Sequence, residues 1–173
     1  MRRTRHPTRP RYDPAVHVRP TTLDDAEALT DLHLDVWEEA YAGLIPASVF
    51  TERRARRDAR VESWRGIIAA ASSDNLLAWS GERLVGFSST GSGRDPEPGL
   101  PPLELMALYV RSSVYDRGVG FALLGAAIGD ADAYLWVLDG NERAIRFYER
   151  QGFRLDGATK PEDVGLERRM VRR

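Results

Sequence analysis

Residues 103–124, L-E-L-M-A-L-Y-V-R-S-S-V-Y-D-R-G-V-G-F-A-L-L, carry the most information about the fold. An apolar run typical of a buried strand ends in a polar loop, and a helical apolar pattern begins after Arg117-Gly118-Val119-Gly120. The first turn of a helix presents free backbone N–H groups and the positive end of the dipole, which favour a phosphate. Glycine lets the backbone approach the anion closely. The stretch therefore predicts a phosphate- or pyrophosphate-binding turn.

Glu104 is an acidic residue inside this predicted buried strand. Burying a carboxylate costs free energy, so a carboxylate in such a position usually has a partner or a chemical role. Two interpretations stay open: a proton acceptor beside the phosphate turn, or a carboxylate paired with an arginine of the second predicted helix.

Hydrophobic periodicity predicts the elements on both sides of this stretch. Strands are expected at 15–19, 76–80, 83–89, 103–110, 133–138, 153–156 and 166–171. Helices are expected after Thr21 or Thr22, at about 51–71, from Gly118 to about Asp130, and at 141–150, ending at Gly152. The order β-α-α-β-β-β-α-β-α-β-β predicts an α/β (mixed α+β) fold, a mixed sheet with helices on both faces.

Residues 91–102 form a predicted loop that leads into the strand of Glu104. Its glycines and prolines are incompatible with a helix or a central strand. Long loops at such places are often functional, so an acceptor-site flap and a plain insertion are both retained as interpretations.

Composition favours one domain, residues 15–173, in a chain of 173 residues with 42% hydrophobic and 29% charged side chains. Residues 1–14 are rich in arginine and broken by prolines, which predicts a disordered basic tail; a nucleic-acid-binding arm is the alternative. A net charge of −1 gives no general attraction to nucleic acid or to membranes.

The sequence also limits the location and the chemistry. No apolar run reaches the roughly 20 residues of a membrane helix, and no signal-peptide core is seen, so a cytoplasmic protein is expected. Since the chain has no cysteine, it cannot form a disulfide, a thiolate metal site or a thioester intermediate. The three histidines lack metal-ligand spacing, and no metal is expected.

Three stretches resemble a known family. Tyr115-Asp116-Arg117-Gly118-Val119-Gly120 matches Q/R-x-x-G-x-G/A after a strand, and residues 141–153 match N-x-x-A-x-x-F-Y-x-x-x-G-F. The chain from about 15 to 171 is thereby similar to the GNAT superfamily of acyl-CoA N-acyltransferases. W-E-E-A-Y-A-G-L-I-P, residues 37–46, resembles phosphinothricin-type small-amine acetyltransferases within it. Tyr115 and Asp116 depart from the pattern, and Asp116 puts a negative charge beside the expected pyrophosphate.

The resemblance implies a GNAT-like fold with a mostly antiparallel sheet of six to seven strands, and acetyl-CoA as cosubstrate. Its pantetheine arm is expected in a gap between strands 103–110 and 133–138. The residues implied to bind the cosubstrate are Leu108, Tyr109, Val110, Tyr115, Asp116, Arg117, Gly118, Val119, Gly120, Phe121, Asn141, Ala144, Phe147 and Tyr148.

The resemblance also implies catalytic roles. Glu104 lies 14 residues before Gly118, where members with a strand-borne glutamate base carry it, and is expected to be the general base. Tyr148, the tyrosine of the F-Y pair, is expected to be the general acid; a core tyrosine is the alternative. Trp37 and Tyr41 are candidates for an aromatic acceptor wall or for the core, and His33 for a core-edge residue or an acceptor contact.

The expected function is therefore direct transfer of an acetyl group, in a ternary complex, to a primary amine of a small molecule. A protein N-terminal or lysine acetyltransferase and a non-catalytic acyl-CoA-binding regulatory module are the alternatives. The family resemblance also allows a homodimer. A dinucleotide-binding unit would use Gly118, Gly120 and Asp139, but Leu123 occupies the third glycine position.

Overall fold

The computed structural model describes residues 16–173, so the predicted basic tail, residues 1–14, lies outside the described residues. The described range forms one seven-stranded sheet with strand order β1-β2-β3-β4-β5-β7-β6. The strands are β1 (Val16–Pro20), β2 (Asp74–Ser80), β3 (Arg83–Ser92), β4 (Leu103–Val110), β5 (Ala133–Leu138), β6 (Arg154–Glu162) and β7 (Gly165–Arg172). The helices are α1 (Ala26–Tyr41), α2 (Ala47–Ala55), α3 (Arg57–Ala70), α4 (Val119–Ile128) and α5 (Glu142–Arg150).

All neighbouring strands are antiparallel except β4 and β5, which are parallel. One face of the sheet is covered by α1 and α3, where Leu29, Leu32 and Trp64 pack around Phe87. The other face is covered by α4 and α5, whose apolar residues pack against Leu105 and neighbouring strands. The predicted fold class, a mixed and mostly antiparallel sheet with helices on both faces, is confirmed.

The predicted second helix at 51–71 is wrong, because two helices occupy this part of the chain. They meet at Arg56, whose backbone angles (φ −100°, ψ 22°) are not helical. Each helix packs on its own partner: Phe50 of α2 contacts Trp37, and Trp64 of α3 contacts Phe87. The break at Arg56 lets the two helices take these separate positions, which hydrophobic periodicity alone does not show.

Two other boundaries differ from the prediction. β3 continues to Ser92, since Gly91 and Ser92 pair with Glu104 and Leu103, so the loop comprises residues 93–102 only. β6 extends to Glu162 because it forms a hairpin with β7 in which Lys160 lies opposite Glu167. None of the helices in the described range is long and apolar enough to cross a membrane.

A bulge in β4 determines which side chains share a face of the sheet. The pairing with β3 shifts from Ser89–Ala107 to Thr90–Leu105, so Met106 is an extra residue. Side chains of a strand alternate between the two faces of the sheet, and the extra residue of the bulge shifts this alternation by one position. Glu104 and Tyr109 therefore lie on the same face although five positions separate them. This is the face of α1 and α3, against which Tyr109 packs.

β4 and β5 separate along their length. Their Cα register consists of one pair, Glu104–Tyr134, near the start of both strands. β5 forms six such pairs with β7 on its other side. The strands are therefore joined beside Glu104 and separate toward Val110, where the family resemblance implied a gap.

Candidate active site

The predicted phosphate turn lies at the open end of this gap. Gly118 precedes α4 and has a φ of +82°, a left-handed conformation that favours glycine. A Cβ added at Gly120 would meet the Phe147 ring at 3.4 Å and the Val110 side chain at 3.8 Å. The turn, the end of β4 and α5 therefore approach one another around Gly120.

The predicted cosubstrate-binding residues lie on three parts of the chain, which approach one another where Val110 and Phe147 lie beside Gly120. They come from the end of β4 (Leu108, Tyr109, Val110), the turn and start of α4 (Tyr115, Asp116, Arg117, Gly118, Val119, Gly120, Phe121) and α5 with its cap (Asn141, Ala144, Phe147, Tyr148). The Asn141 side chain has a local role, because it accepts a hydrogen bond of 3.2 Å from the backbone N–H of Ala144.

Tyr115, which departs from the family pattern, has a cationic neighbour that the sequence analysis missed. The guanidinium of Arg143, in the first turn of α5, stacks on the Tyr115 ring. A positive charge therefore lies beside the turn although no arginine or glutamine occupies position 115. The sequence could have indicated this neighbour, because Arg143 lies within the second motif, two residues after Asn141.

Glu104 lies at the closed end of the gap with 1% of its surface exposed. Its carboxylate accepts hydrogen bonds from Arg94 Nε (2.9 Å), the Arg94 backbone N–H (3.1 Å) and the Tyr134 hydroxyl (3.0 Å). Burial alone would raise the pKa of Glu104, but the bonds and charge of Arg94 outweigh it, so the pKa lies below its ordinary value. The arginine partner comes from loop 93–102 and not from the second predicted helix.

Loop 93–102 is tied to the sheet beside Glu104. The backbone N–H groups of Arg94 and Asp95 donate to the Tyr134 hydroxyl, at 2.7 and 3.0 Å. Trp136 Nε1 donates to the Asp95 carboxylate at 3.0 Å. These contacts fix the start of the loop against β5, on the face that also carries Tyr109.

Two tyrosines from different elements meet on this face. The hydroxyls of Tyr41 (α1) and Tyr109 (β4) form a hydrogen bond of 2.8 Å. Tyr148 of α5 is buried in the apolar cluster of the α4 and α5 face, and it interacts electrostatically with both tyrosines. Burial, with a smaller contribution from Tyr41, raises the pKa of Tyr148 above its ordinary value, so its hydroxyl stays protonated at neutral pH. The sequence did not predict the Tyr41–Tyr109 contact, because no local pattern records a pair 68 residues apart.

The aromatic candidates of α1 have different surroundings. Trp37 is buried and packs edge-on against Tyr41 and Phe50, with ring centroids 5.0 and 5.6 Å apart. His33 lies 4.9 Å from the Phe87 ring and 5.8 Å from Tyr109. Burial, helped by nearby arginine charges, lowers the pKa of His33 to about 3, so it is neutral. Across residues 16–173 there is no group of three or more His, Asp or Glu side chains able to hold a metal ion.

Comparison with known proteins shows which class of enzyme has this sequence and fold. Residues 28–153 match the acetyltransferase (GNAT) family. Because the match spans most of the chain, the protein belongs to the GNAT family of acetyltransferases. The predicted enzyme class, an N-acyltransferase, is thereby confirmed.

Individual relatives are distant but cover most of the chain. A probable N-acetyltransferase of Mycobacterium tuberculosis is 25% identical over 148 residues, 83% of each chain. The uncharacterized N-acetyltransferase YuaI of Bacillus subtilis is 27% identical over 143 residues, 78% of each chain. Among solved structures, the PaiA N-acetyltransferase of Thermoplasma acidophilum, in complex with coenzyme A, has a TM-score of 0.71 at 18% identity. It covers 91% of this chain and 98% of its own.

The same fold occurs in YncA, a putative acetyltransferase from Salmonella typhimurium solved with acetyl-CoA. Its TM-score is 0.62 at 20% identity, over 91% of this chain and 92% of its own. At these identities the likeness shows a shared fold.

Proposed function

We propose that the protein transfers an acetyl group from acetyl-CoA directly to a primary amine of a small molecule, within a ternary complex. The observation that carries this proposal is the gap between β4 and β5, which has the glycine turn at its open end and Glu104 at its closed end. Coenzyme A or acetyl-CoA in two proteins of similar fold supports the choice of cosubstrate. The small acceptor is supported by the resemblance of residues 37–46 to small-amine acetyltransferases.

The residues around the gap fit acetyl-CoA. Beyond Glu104, β4 has no paired β5 residue within the described chain, so its peptide groups are available on that side. A pantetheine arm with two amide groups could bind there as an extra strand does at an open edge. The turn at Gly118 and the first turn of α4 would hold the pyrophosphate, and Arg117 would add a charge-assisted hydrogen bond.

When bound, acetyl-CoA supplies the activated acetyl group that moves from sulfur to nitrogen. Glu104 would accept the proton of the acceptor ammonium through a water molecule. This step matters because an amine of pKa about 10 is roughly less than 1% free base at neutral pH. Tyr148 would donate its hydroxyl proton to the departing sulfur, and its raised pKa keeps that proton in place.

Thermal unfolding tests the cosubstrate. Acetyl-CoA at a hundredfold excess over its dissociation constant should stabilise the native protein by about 2.7 kcal/mol. For a domain of this size, each kcal/mol corresponds to about 2–4 °C, so we expect the Tm to rise by about 5–11 °C. NAD, the ligand of the competing dinucleotide-binding interpretation, should leave the Tm unchanged. A Tm that rises with NAD and not with acetyl-CoA would contradict the proposal.

Arg143 should contribute to cosubstrate affinity. If its charge compensates for Tyr115 and Asp116 at the pyrophosphate turn, Arg143→Gln should raise the Kd for acetyl-CoA about 3- to 10-fold, as expected for a partly exposed cation near a phosphate. Arg146→Gln is the matched control, since Arg146 lies on the same helix and pairs with Glu142 instead. Calorimetric titration measures both, and an equal effect of the two substitutions would rule out a specific role for Arg143.

A further inference from the structure

The arginines of α2 and α3 fall into two groups. Those of the first group are exposed or nearly so and pair with acids of α1: Arg54 with Asp35 and Glu38, Arg57 with Asp31, and Arg65 with Glu27. The second group is Arg53 and Arg60, which are half-buried and form no ion pair with any residue from 16 to 173.

Arg53 and Arg60 also have unsatisfied donors. The Nε atom of each is buried and lacks a hydrogen-bond partner in the described structure. Burial lowers the pKa of Arg53 to about 10, and the like charge of Arg60 contributes to the shift. Two neighbouring cations that are partly removed from water and unpaired are costly, and an anion placed between them would offset that cost.

The position of this pair points to the acceptor. The Arg53 guanidinium stacks on Trp37, 3.8 Å from the ring centroid, and its charge acts on Tyr41 and Tyr109. Both arginines act electrostatically on His33, whose buried Nδ1 has no partner within residues 16–173. These groups lie on the α1 and α3 face of the sheet, the face of Glu104 and Tyr109 and the opposite one from α4.

We infer that Arg53 and Arg60 bind an oxyanion, a carboxylate or a phosphate, carried by the acceptor amine. The planar guanidinium presents two parallel N–H donors that match either group, and the neutral His33 can add a contact. The inference rests on the proposed function, because it names the acceptor class of the same site. The acceptor is then a zwitterion whose ammonium lies toward Glu104 and whose anion lies toward α2 and α3.

Matched acceptors test the inference on the wild-type enzyme. β-Alanine is compared with β-alaninamide, and phosphoethanolamine with ethanolamine, at saturating acetyl-CoA. At least one anionic member should exceed its uncharged partner in kcat/KM by about 10- to 100-fold, the range that charge-assisted hydrogen bonds supply. The pair with the larger ratio of kcat/KM shows whether the arginines bind a carboxylate, as in β-alanine, or a phosphate, as in phosphoethanolamine. A ratio near one in both pairs would overturn the inference.

Substitutions locate the anion. Arg53→Gln and Arg60→Gln should each lower kcat/KM for the anionic acceptor at least about fivefold more than for its uncharged partner. Arg53→Lys should restore part of the loss, since it keeps the charge but not the planar donors. Arg54→Gln is the control, because Arg54 already pairs with Asp35 and Glu38 of α1. It should leave the ratio of kcat/KM between the anionic and the uncharged acceptor unchanged in both pairs. If Arg53→Gln raises the Kd for acetyl-CoA, then Arg53 binds the cosubstrate and not the acceptor, and the inference is overturned.

The inference can be separated from the proposed function. If acetyl-CoA binds but none of these amines is acetylated, succinate and inorganic phosphate are titrated calorimetrically into the complex with acetyl-CoA. Binding that Arg53→Gln weakens and Arg54→Gln leaves intact would support the anion site and count only against the reaction. Absence of binding by both probes would overturn the anion site.

Discussion

Glu104→Gln is expected to lower kcat for amine acetylation by about 10²- to 10⁴-fold at neutral pH, the contribution typical of a general base. Glutamine keeps the size of the side chain and can still accept a hydrogen bond from Tyr134, but it cannot take the proton of the ammonium. Steady-state kinetics with acetyl-CoA and an active acceptor measure the effect. The Kd for acetyl-CoA should change little, since Glu104 lies at the closed end of the gap.

The pH dependence of this defect has a defined sign. The lowered pKa keeps Glu104 ionised down to acidic pH, so the wild-type enzyme loses its base only as pH falls below the ordinary range of a glutamate. In Glu104→Gln, the rate should follow the free-base fraction of the acceptor. The ratio of wild-type to variant kcat should therefore shrink as pH rises toward about 10, the pKa of the amine. A ratio that stays constant with pH would contradict the role of base.

Arg94→Gln separates catalysis from support of the loop. Arg94 is bound to Glu104, and although 63% of the Arg94 side chain is exposed, the Glu104 carboxylate is buried, so the change leaves that carboxylate without its cation. If Glu104 is the base, Arg94→Gln should lower kcat far less than Glu104→Gln, and the pKa of Glu104 should rise. If Glu104 only anchors loop 93–102, both variants should lose activity equally, with similar decreases in Tm.

The strands that form the gap could be predicted from sequence because their signals are local. The bounds of β4 and β5 agree with the prediction, and both strands are short apolar runs closed by polar residues. The glycine at 118 also follows from a local requirement, because the backbone there is left-handed.

The contacts around Glu104 and on the face of α1 and α3 are not local, and the sequence could not supply them. The bulge at Met106 depends on the register with β3, and it alone brings Glu104 and Tyr109 to one face. The choice of Arg94 as partner of Glu104 depends on how loop 93–102 folds back on β5. Likewise, Arg54 pairs with acids of α1 and its neighbour Arg53 does not, which depends on how α2 packs against α1.

Tyr148→Phe is expected to lower kcat by about 10²-fold, the lower end of the range for acid–base catalysis, because a thiolate is a moderately good leaving group. The Tyr148 hydroxyl has no hydrogen-bond partner within residues 16–173, so its removal leaves no buried group unpaired. The Tm and the Kd for acetyl-CoA should therefore stay close to those of the wild type.

The pH profile and a neighbouring tyrosine distinguish this role from others. The pKa of Tyr148 is raised, so the hydroxyl remains a donor throughout the working range, and the ratio of wild-type to variant kcat should not change with pH. This differs from Glu104→Gln, whose defect shrinks as pH rises. Tyr109→Phe removes a hydroxyl of the same cluster that bonds Tyr41 and should lower kcat much less. If Tyr109→Phe lowers kcat as much as Tyr148→Phe does, the effect comes from the hydrogen-bonded pair of Tyr41 and Tyr109, and proton donation by Tyr148 is refuted.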